Sequence, residues 1–588
     1  MQAEPLAPVA APRAPLIPSA VNRAVDTFFY DNKIVRDFGI ATVIWGIIGM
    51  AVGVLAAFEL ARPEVNMGTA YTTFGRIRPL HTNAVIFAFV GNGIFTGVYY
   101  SLQRLCKTRM FSDVLSKIHF WGWQLIILSA VATLPLGFTT SKEYAELEWP
   151  IDIAITLIWV VFGWNMFGTI ARRRERHLYV GIWFYIATFL TVAVLHLVNS
   201  AEVPVSWLKS YSAYAGVQDA LVQWWYGHNA VAFFLTTPYL GLMYWLWPRL
   251  YKTPLFSKKL ATTHFWLGTL GILFYAIPMY WAGFTQGLMW KQFNAEGMLQ
   301  YPNFLETVLQ LVPMYYLRGI GGVLYLSGVF LLMYNLYKTA QAGTLLANEK
   351  AQAPALLPEA QDPHVQPGHW HRWLERRPFQ LAVGATVAIA IGGAVEMIPT
   401  FLVKSNVPTI ASVKPYRALE LQGRDLYIRE GCSNCHTQMV RPFRSETERY
   451  GEYSKAGEYV YDRPFLWGSK RTGPDLQRVG QKYPNSWHYN HMLDPTSMSP
   501  GSIMPPYPWL FENTIDYSTL PNKIRVLQGL NTPYPAGFDK LAVADAQAQA
   551  RGIVAELKKE DIEVKSDKEI VALIAYLQRL GTDIKVKQ

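Results

Sequence analysis

Nine stretches of the chain stay apolar over about 20 residues, the length a helix needs to cross the core of a bilayer. They predict membrane helices near 38–60, 80–101, 118–138, 151–171, 179–199, 222–247, 262–287, 311–337 and 380–402. Beyond the ninth, residues 403–588 are polar and carry no further span. The pattern predicts a mainly α architecture, a polytopic transmembrane helix bundle followed by a domain held by a single-span anchor.

The loops between spans set a direction, because short cytoplasmic loops accumulate Lys and Arg. One alternate set holds Arg104/Lys107/Arg109, Arg172/Arg173/Arg174/Arg176, Arg249/Lys252/Lys258/Lys259 and Arg372/Arg376/Arg377. The other set is poorer in these residues, with Arg76 and Arg78 ahead of the second span as its exception. The N-terminus is therefore expected inside, and an odd number of spans places the C-terminal domain outside. The start of the chain, "MQAEPLAPVAAPRAPLIPSA", lacks a continuous apolar core and does not read as a signal peptide, so export falls to the membrane helices. The domains expected are a cytoplasmic N-terminal segment at 1–34, a membrane domain at 35–340, a cytoplasmic linker rich in Ala, Pro and Gln at 341–379, the anchor at 380–402 and an exported domain at 403–588.

Composition agrees with a membrane protein: 51% of residues are apolar and the mean hydropathy is +0.12. The net charge of +11 does not point to nucleic acid, because the basic residues fall in short clusters between apolar segments, where lipid headgroups account for them. Three histidines of the linker, His364, His369 and His371, read as solvated residues rather than a metal site.

Only three cysteines are present, so no disulfide framework exists. Two stand in Cys432-Ser433-Asn434-Cys435-His436, the attachment pattern of a c-type haem, in which two thiols bond the vinyl groups and the adjacent histidine takes the proximal iron position. A zinc site would need a second ligand pair, and Cys106 is the one cysteine left. The distal ligand must come from the opposite face of the ring. Met439 is too close to His436 in sequence, whereas Met504 in "SIMPPYPWL" lies far along the chain on a loop stiffened by Pro505 and Pro506. Met492 and Met498 compete with it, and His488 or His491 would give a lower-potential iron. Near the C-terminus, Ser566 and Glu569 read as a capping box and Gly581 as a stop, around an apolar stripe of Ile570, Leu573, Ile574 and Leu577.

Histidines inside spans are functional candidates. His81 begins the second span, His196 ends the fifth, and His228 lies in the sixth, all towards the outer leaflet. His119 and His264 begin helices at the inner face and read as capping or interfacial residues.

The segments "RPLHTNAVIFAFVGNGIFTGVYYSLQR", "TSKEYAELEWPIDI" and "VQWWYGHNAVAFFLT" resemble the catalytic subunit of cbb(3)-type cytochrome c oxidases, the C family of haem-copper oxidases. "GCSNCHTQMVRPFRSETERYGEYSKAGEYVYDRPFLWGSKRTGPDLQRVG" with "SIMPPYPWL" resembles the membrane-anchored monohaem cytochrome c subunit of the same enzymes. The resemblance runs from about residue 30 to nearly the end and implies two subunits fused through the linker. It implies that His81 is an axial ligand of a low-spin haem b and His228 one of three histidine ligands of a copper ion. Arg76 and Arg78 then become candidates for haem propionates, against a solvated-loop alternative. The implied partners are other oxidase subunits including a further c-type cytochrome, a periplasmic electron donor and the lipid of a bacterial inner membrane.

The chain departs from that pattern in the membrane domain. The family's catalytic subunit has twelve helices, where eight precede the linker here. The adjacent histidine pair that completes the copper site is absent, and the one His-x-His, His369-Trp370-His371, lies in the linker. The text after "WWYGHNAVAFFLTTPYLG" reads like the end of the family's tenth helix, which puts a seam near residues 237–246 and four helices missing. Two main readings follow. One is a subunit of a cbb(3)-type oxidase that passes electrons through haem c and haem b to a haem-copper centre, reducing oxygen to water with proton pumping. The other is a membrane-anchored electron carrier without oxygen chemistry, in which His81 with His196 or His228 holds at most one haem.

Overall fold

The computed structural model describes residues 25–234, 239–356, 370–403 and 409–585. The chain enters through strand β1 (Val25–Asp31) and turns straight into α1 (Asn32–Glu59), whose first amides at Lys33 and Ile34 donate to the Asp31 carboxylate. The second span is α2 (Phe74–Asn83) and α3 (Gly91–Leu105), joined without a break by a wider π-type turn at Ala84–Val90. Pro79, which lacks an amide, precedes that widening, and the Asn83 side chain donates to its carbonyl at 2.8 Å. Then follow α4 (Asp113–Thr133), α5 (Trp149–Ala171) and α6 (Val180–Asn199), a short hairpin of β2 (Glu202–Ser206) and β3 (Lys209–Ser212), α7 (Gly216–Phe234) and α8 (Tyr239–Leu250). The long helices α9 (Lys258–Lys291) and α10 (Phe304–Ala342) pack along each other, and α10 also lies on α1. Ser112, Ser257 and Asn303 cap α4, α9 and α10 with their side chains.

Eight helices among the described residues are long and apolar enough to span a membrane. The sixth expected segment, 222–247, is represented by α7 and α8 on either side of residues 235–238, which lie outside the described residues. The linker holds structure that its composition does not announce: β4 (Asn348–Pro354) pairs antiparallel with β1, from Val25↔Pro354 to Asp31↔Asn348. Glu349 of β4 accepts from Asn32, Arg104 and Lys252, so this segment is tied to three separate stretches of the membrane domain. His364 and His369 lie outside the described residues, as does the side chain of His371.

After α11 (Trp370–Glu375) and the anchor α12 (Pro378–Leu402), the C-terminal domain is built from α13 (Ala418–Arg429), α14 (Arg444–Tyr450), α15 (Asn485–Leu493), α16 (Pro495–Met498), α17 (Trp509–Glu512), α18 (Leu520–Gly529), α19 (Phe538–Lys558) and α20 (Glu569–Arg579). Its core forms around α20, buried on every face from Ile570 to Leu577 and not along a single stripe. The expected capping box at Ser566 and Glu569 does not form. Glu569 instead takes two hydrogen bonds of 2.6 Å from the Arg429 guanidinium, and Lys568 stands at the cap position. Gly581, at φ 67°, ends the helix as expected.

Two histidines differ from expectation. His119 is no cap but a fully buried residue of α4, among Phe38, Phe95 and Phe162, with its Nδ1 3.1 Å from the Tyr99 hydroxyl. His264 is likewise buried within α9.

Candidate haem site and its junction with the membrane helices

Helix α13 ends at Arg429 and the chain reverses at Gly431, whose φ of 69° is the left-handed region. A side chain there would also collide with the Gly75 carbonyl, so both backbone and space demand glycine. The turn Cys432–Asn434 and the residues after it present Cys432, Cys435 and His436 to a cavity of about 570 Å³. Burial pushes both thiols up, Cys435 to about 12. Neither is in a disulfide.

The imidazole is aimed by its surroundings. His436 Nδ1–H donates to the Pro474 carbonyl at 2.8 Å, which leaves Nε2 for a ligand. Gly473 makes room for the ring, since a Cβ at that position would lie 2.3 Å from it. The Asp475 carboxylate accepts from Thr437 Oγ1 and the Met439 amide, and Arg471 Nε donates to Thr437 Oγ1 at 2.8 Å, clamping the two segments together. Burial holds His436 below the ordinary imidazole range.

Met504 lines the same cavity. Its amide donates to Ser502 Oγ at 3.2 Å, and the Tyr507 amide closes the loop on the Met492 carbonyl at 2.9 Å. Met492, Met498, His488 and His491 line the cavity too, whereas Met439 is not among its walls. Trp487 stacks on the His491 ring at 4.5 Å, and burial pushes His488 and His491 down to about 4. A donor set of two thiols, one aimed imidazole and a thioether around one apolar cavity fits a covalently attached haem.

This loop rests on the start of α2. Arg76 and Arg78 are buried, so the solvated-loop alternative fails. Arg76 Nη2 donates to both oxygens of Glu430 at 2.8 Å, and its Nη1 to the Pro135 carbonyl. Arg78 donates to Asn434 Oδ1 at 2.6 Å and to Glu143 Oε1 at 2.9 Å. Asn434 returns a hydrogen bond to the Gly75 carbonyl, and Ser433 meets Ser141 at 2.9 Å. The guanidiniums expected at haem propionates are thus engaged by protein groups on either side of Cys432.

His81 sits further along this second span. Its Nδ1–H donates to the Gly49 carbonyl of α1 at 2.8 Å, and its ring lies over Gly53. His196 spends Nε2–H on the Asp152 carbonyl at 3.0 Å. His228 belongs to α7, but its side chain lies outside the described residues. Among the described residues no group of three His, Cys, Asp or Glu is arranged to hold a metal ion.

Comparison with known proteins decides the ancestry. Residues 33–262 and 239–324 match the family Cytochrome C and Quinol oxidase polypeptide I, and residues 371–584 match Cytochrome C oxidase, mono-heme subunit/FixO. Cytochrome c oxidase subunit 1 of Rhodobacter capsulatus is 34% identical over 472 residues, 55% of this chain and 88% of that protein. The chain belongs to the cbb(3)-type cytochrome c oxidases, a catalytic subunit fused to a mono-haem subunit. The Cbb3-type cytochrome c oxidase subunit CcoN1 of Stutzerimonas stutzeri is 56% identical over 246 residues, 42% of this chain, which spans about half of that relative's length. A subunit 1 homolog of Agrobacterium tumefaciens (strain T37) is 32% identical over 478 residues, 56% of this chain and 87% of that protein.

For this oxidase subunit, membership implies haem c and haem b as the general cofactors and other oxidase subunits as partners, in a multi-pass membrane protein. The subunit-1 matches also show a gap. They run over more residues than 55% or 56% of 588 can supply, so an internal block of those relatives has no counterpart here. The two matches to the polypeptide I family overlap at 239–262, beside the expected seam at 237–246. Glu430, Asn434, Pro474 and Gly473 escaped the sequence reading. Only the position of Glu430 and Asn434 beside and between the cysteines hinted at a role.

Proposed function

We propose that this chain receives electrons for a cbb(3)-type oxidase. A periplasmic donor reduces a haem c held by Cys432 and Cys435, with His436 and Met504 as iron ligands, in a C-terminal domain on the outer side of the inner membrane. When bound, the haem carries one electron by cycling between ferrous and ferric iron. The protein's own part is to fix the cofactor against the helix that leads to His81, the axial ligand for haem b. The single observation carrying this is the hydrogen-bonded contact of the Cys432–His436 loop with Gly75, Arg76 and Arg78. The outer placement rests on the Lys and Arg asymmetry of the loops.

Oxygen reduction to water with proton pumping belongs to an assembled enzyme whose haem-copper ligands are complete. His228 is the one copper-ligand-like histidine here, and because no histidine pair stands in the sequence a second reading, a membrane-anchored electron carrier, is put to the same test, although the family matches support the oxidase subunit. Expression of the full chain, with reduced-minus-oxidised and carbon-monoxide difference spectra and both haems quantified, separates them. Haem c with a carbon-monoxide-binding haem b supports oxygen chemistry; haem c alone supports the carrier; no covalent haem refutes both. Re-sequencing the coding DNA across codons 230–255 tests whether a block of helices belongs there.

A further inference from the structure

The wall of the haem c cavity is not built by the C-terminal domain alone. Glu59 and Leu60 at the end of α1, Phe74 at the start of α2, and Phe304 and Val308 of α10 close one side. Among these Glu59 is 1% exposed, and neither of its carboxyl oxygens has a hydrogen-bond partner among the described residues. The carboxylates at the junction are satisfied differently: Glu430 by Arg76 and Glu143 by Arg78. The guanidiniums that line the cavity are already engaged, Arg478 by Glu458 and Arg449 by the carbonyls of Tyr301 and Pro302. Asp475 is taken by Thr437 and Met439, and the buried imidazoles His488 and His491 lie on α15. A buried carboxyl without a partner is costly and calls for a ligand that supplies one.

We propose that Glu59 is a haem c residue contributed by the membrane domain, its carboxyl hydrogen-bonded to a propionate of the cofactor. The inference rests on the haem c reading above. The propionates are the strongly polar groups of a haem, and a carboxyl meets a carboxylate by holding one proton between the two oxygens. Helix α1 then positions the cofactor as well as anchoring the bundle. The bond draws charge from the propionate and so moderates its stabilisation of ferric iron.

Redox titration of haem c in the full chain in detergent tests this with Glu59→Leu and Glu59→Gln. E59L should shift the midpoint to lower potential, because the propionate loses its donor. E59Q keeps an amide donor and should titrate with the parent. An E59L midpoint equal to the parent's, or an equal shift in both variants, overturns the proposal. If E59L does not accumulate, redox-difference infrared spectra of the parent and E59Q decide: loss of a carboxyl band in E59Q supports it, and identical spectra overturn it. A parent chain without covalent haem overturns the reading beneath it as well, and that outcome is visible before any variant is made.

Discussion

Glu430 offers the sharpest test of how the two parts are joined. It is fully buried and accepts two hydrogen bonds of 2.8 Å from Arg76, one of 2.7 Å from Arg429 and one of 3.1 Å from Trp509. Glu430→Met strands Arg76, whose side chain is 4% exposed and keeps only the Pro135 carbonyl among the partners described. Breaking a buried pair from one side costs about 3–5 kcal/mol, because a charge is left uncompensated. Arg76→Met is milder, since Glu430 retains Arg429 and Trp509, and about 1–3 kcal/mol is expected. The double variant should cost less than the sum, with a coupling of roughly 1–3 kcal/mol. Guanidinium unfolding of the full haem-loaded chain in detergent, followed by haem c absorbance, reads all three. An E430M loss under about 1 kcal/mol, or strict additivity of the double variant, would refute the reasoning that this pair is desolvated and shared.

Met504→Leu should open the distal iron face, so that reduced haem c binds carbon monoxide while Met498→Leu does not; carbon-monoxide difference spectra that leave M504L unchanged would point to another ligand. Gly473→Ala should leave haem covalently attached but displace His436, seen as a weakened low-spin spectrum, and a spectrum identical to the parent's would contradict the packing. Glu148, buried ahead of α5 with one oxygen on Ser210 and the other unpartnered, is pushed by burial up to about 7 from an ordinary 4.5. The native state therefore holds this proton more tightly than the unfolded chain: its stabilisation is full below pH 4.5 and is lost as pH rises through 7. Glu148→Gln, always neutral, should gain on the parent between those values, by about 3 kcal/mol at most, and then level off. A pH-independent difference in melting temperature would exclude that account.

What could be read from the chain was what is encoded locally. Cys432, Cys435 and His436 are adjacent, and their spacing alone names the chemistry. The apolar runs placed the spans, but the helices begin several residues earlier than those runs, at the side-chain caps Ser112, Ser257 and Asn303. Arg76 and Arg78 were visible as an anomaly of charge, but their partners in the C-terminal domain, Glu430 and Asn434, lie more than 350 residues away, and no local pattern marks a guanidinium as buried. The same holds for β1 and β4: each is a short strand more than 300 residues from its partner, and only their pairing makes either stable. Ser566 and Glu569 had the right spacing for a cap, yet Arg429 offers Glu569 a charged, bidentate partner, which outweighs a local hydrogen bond.

The seam and the junction occupy different parts of the molecule, and that separation shapes what the chain can do. The surfaces that meet the C-terminal domain include the start of α2, the β2–β3 hairpin, α7 and the loop after α9, all outside residues 237–246. An even number of missing helices leaves the direction of the later spans unchanged, so α12 can still deliver the cytochrome domain to the same side. If the proposed ligand assignment is right, removal of the block would spare the apparatus that receives an electron and take away the imidazoles that would use it on oxygen. On the carrier reading, the chain should show a normally attached haem c, a junction as rigid as Arg76 and Glu430 make it, and a defect confined to the haem-copper half. Haem c content and potential are accordingly the measurements in which it should match an intact oxidase, and carbon-monoxide binding by haem b the one in which it should not.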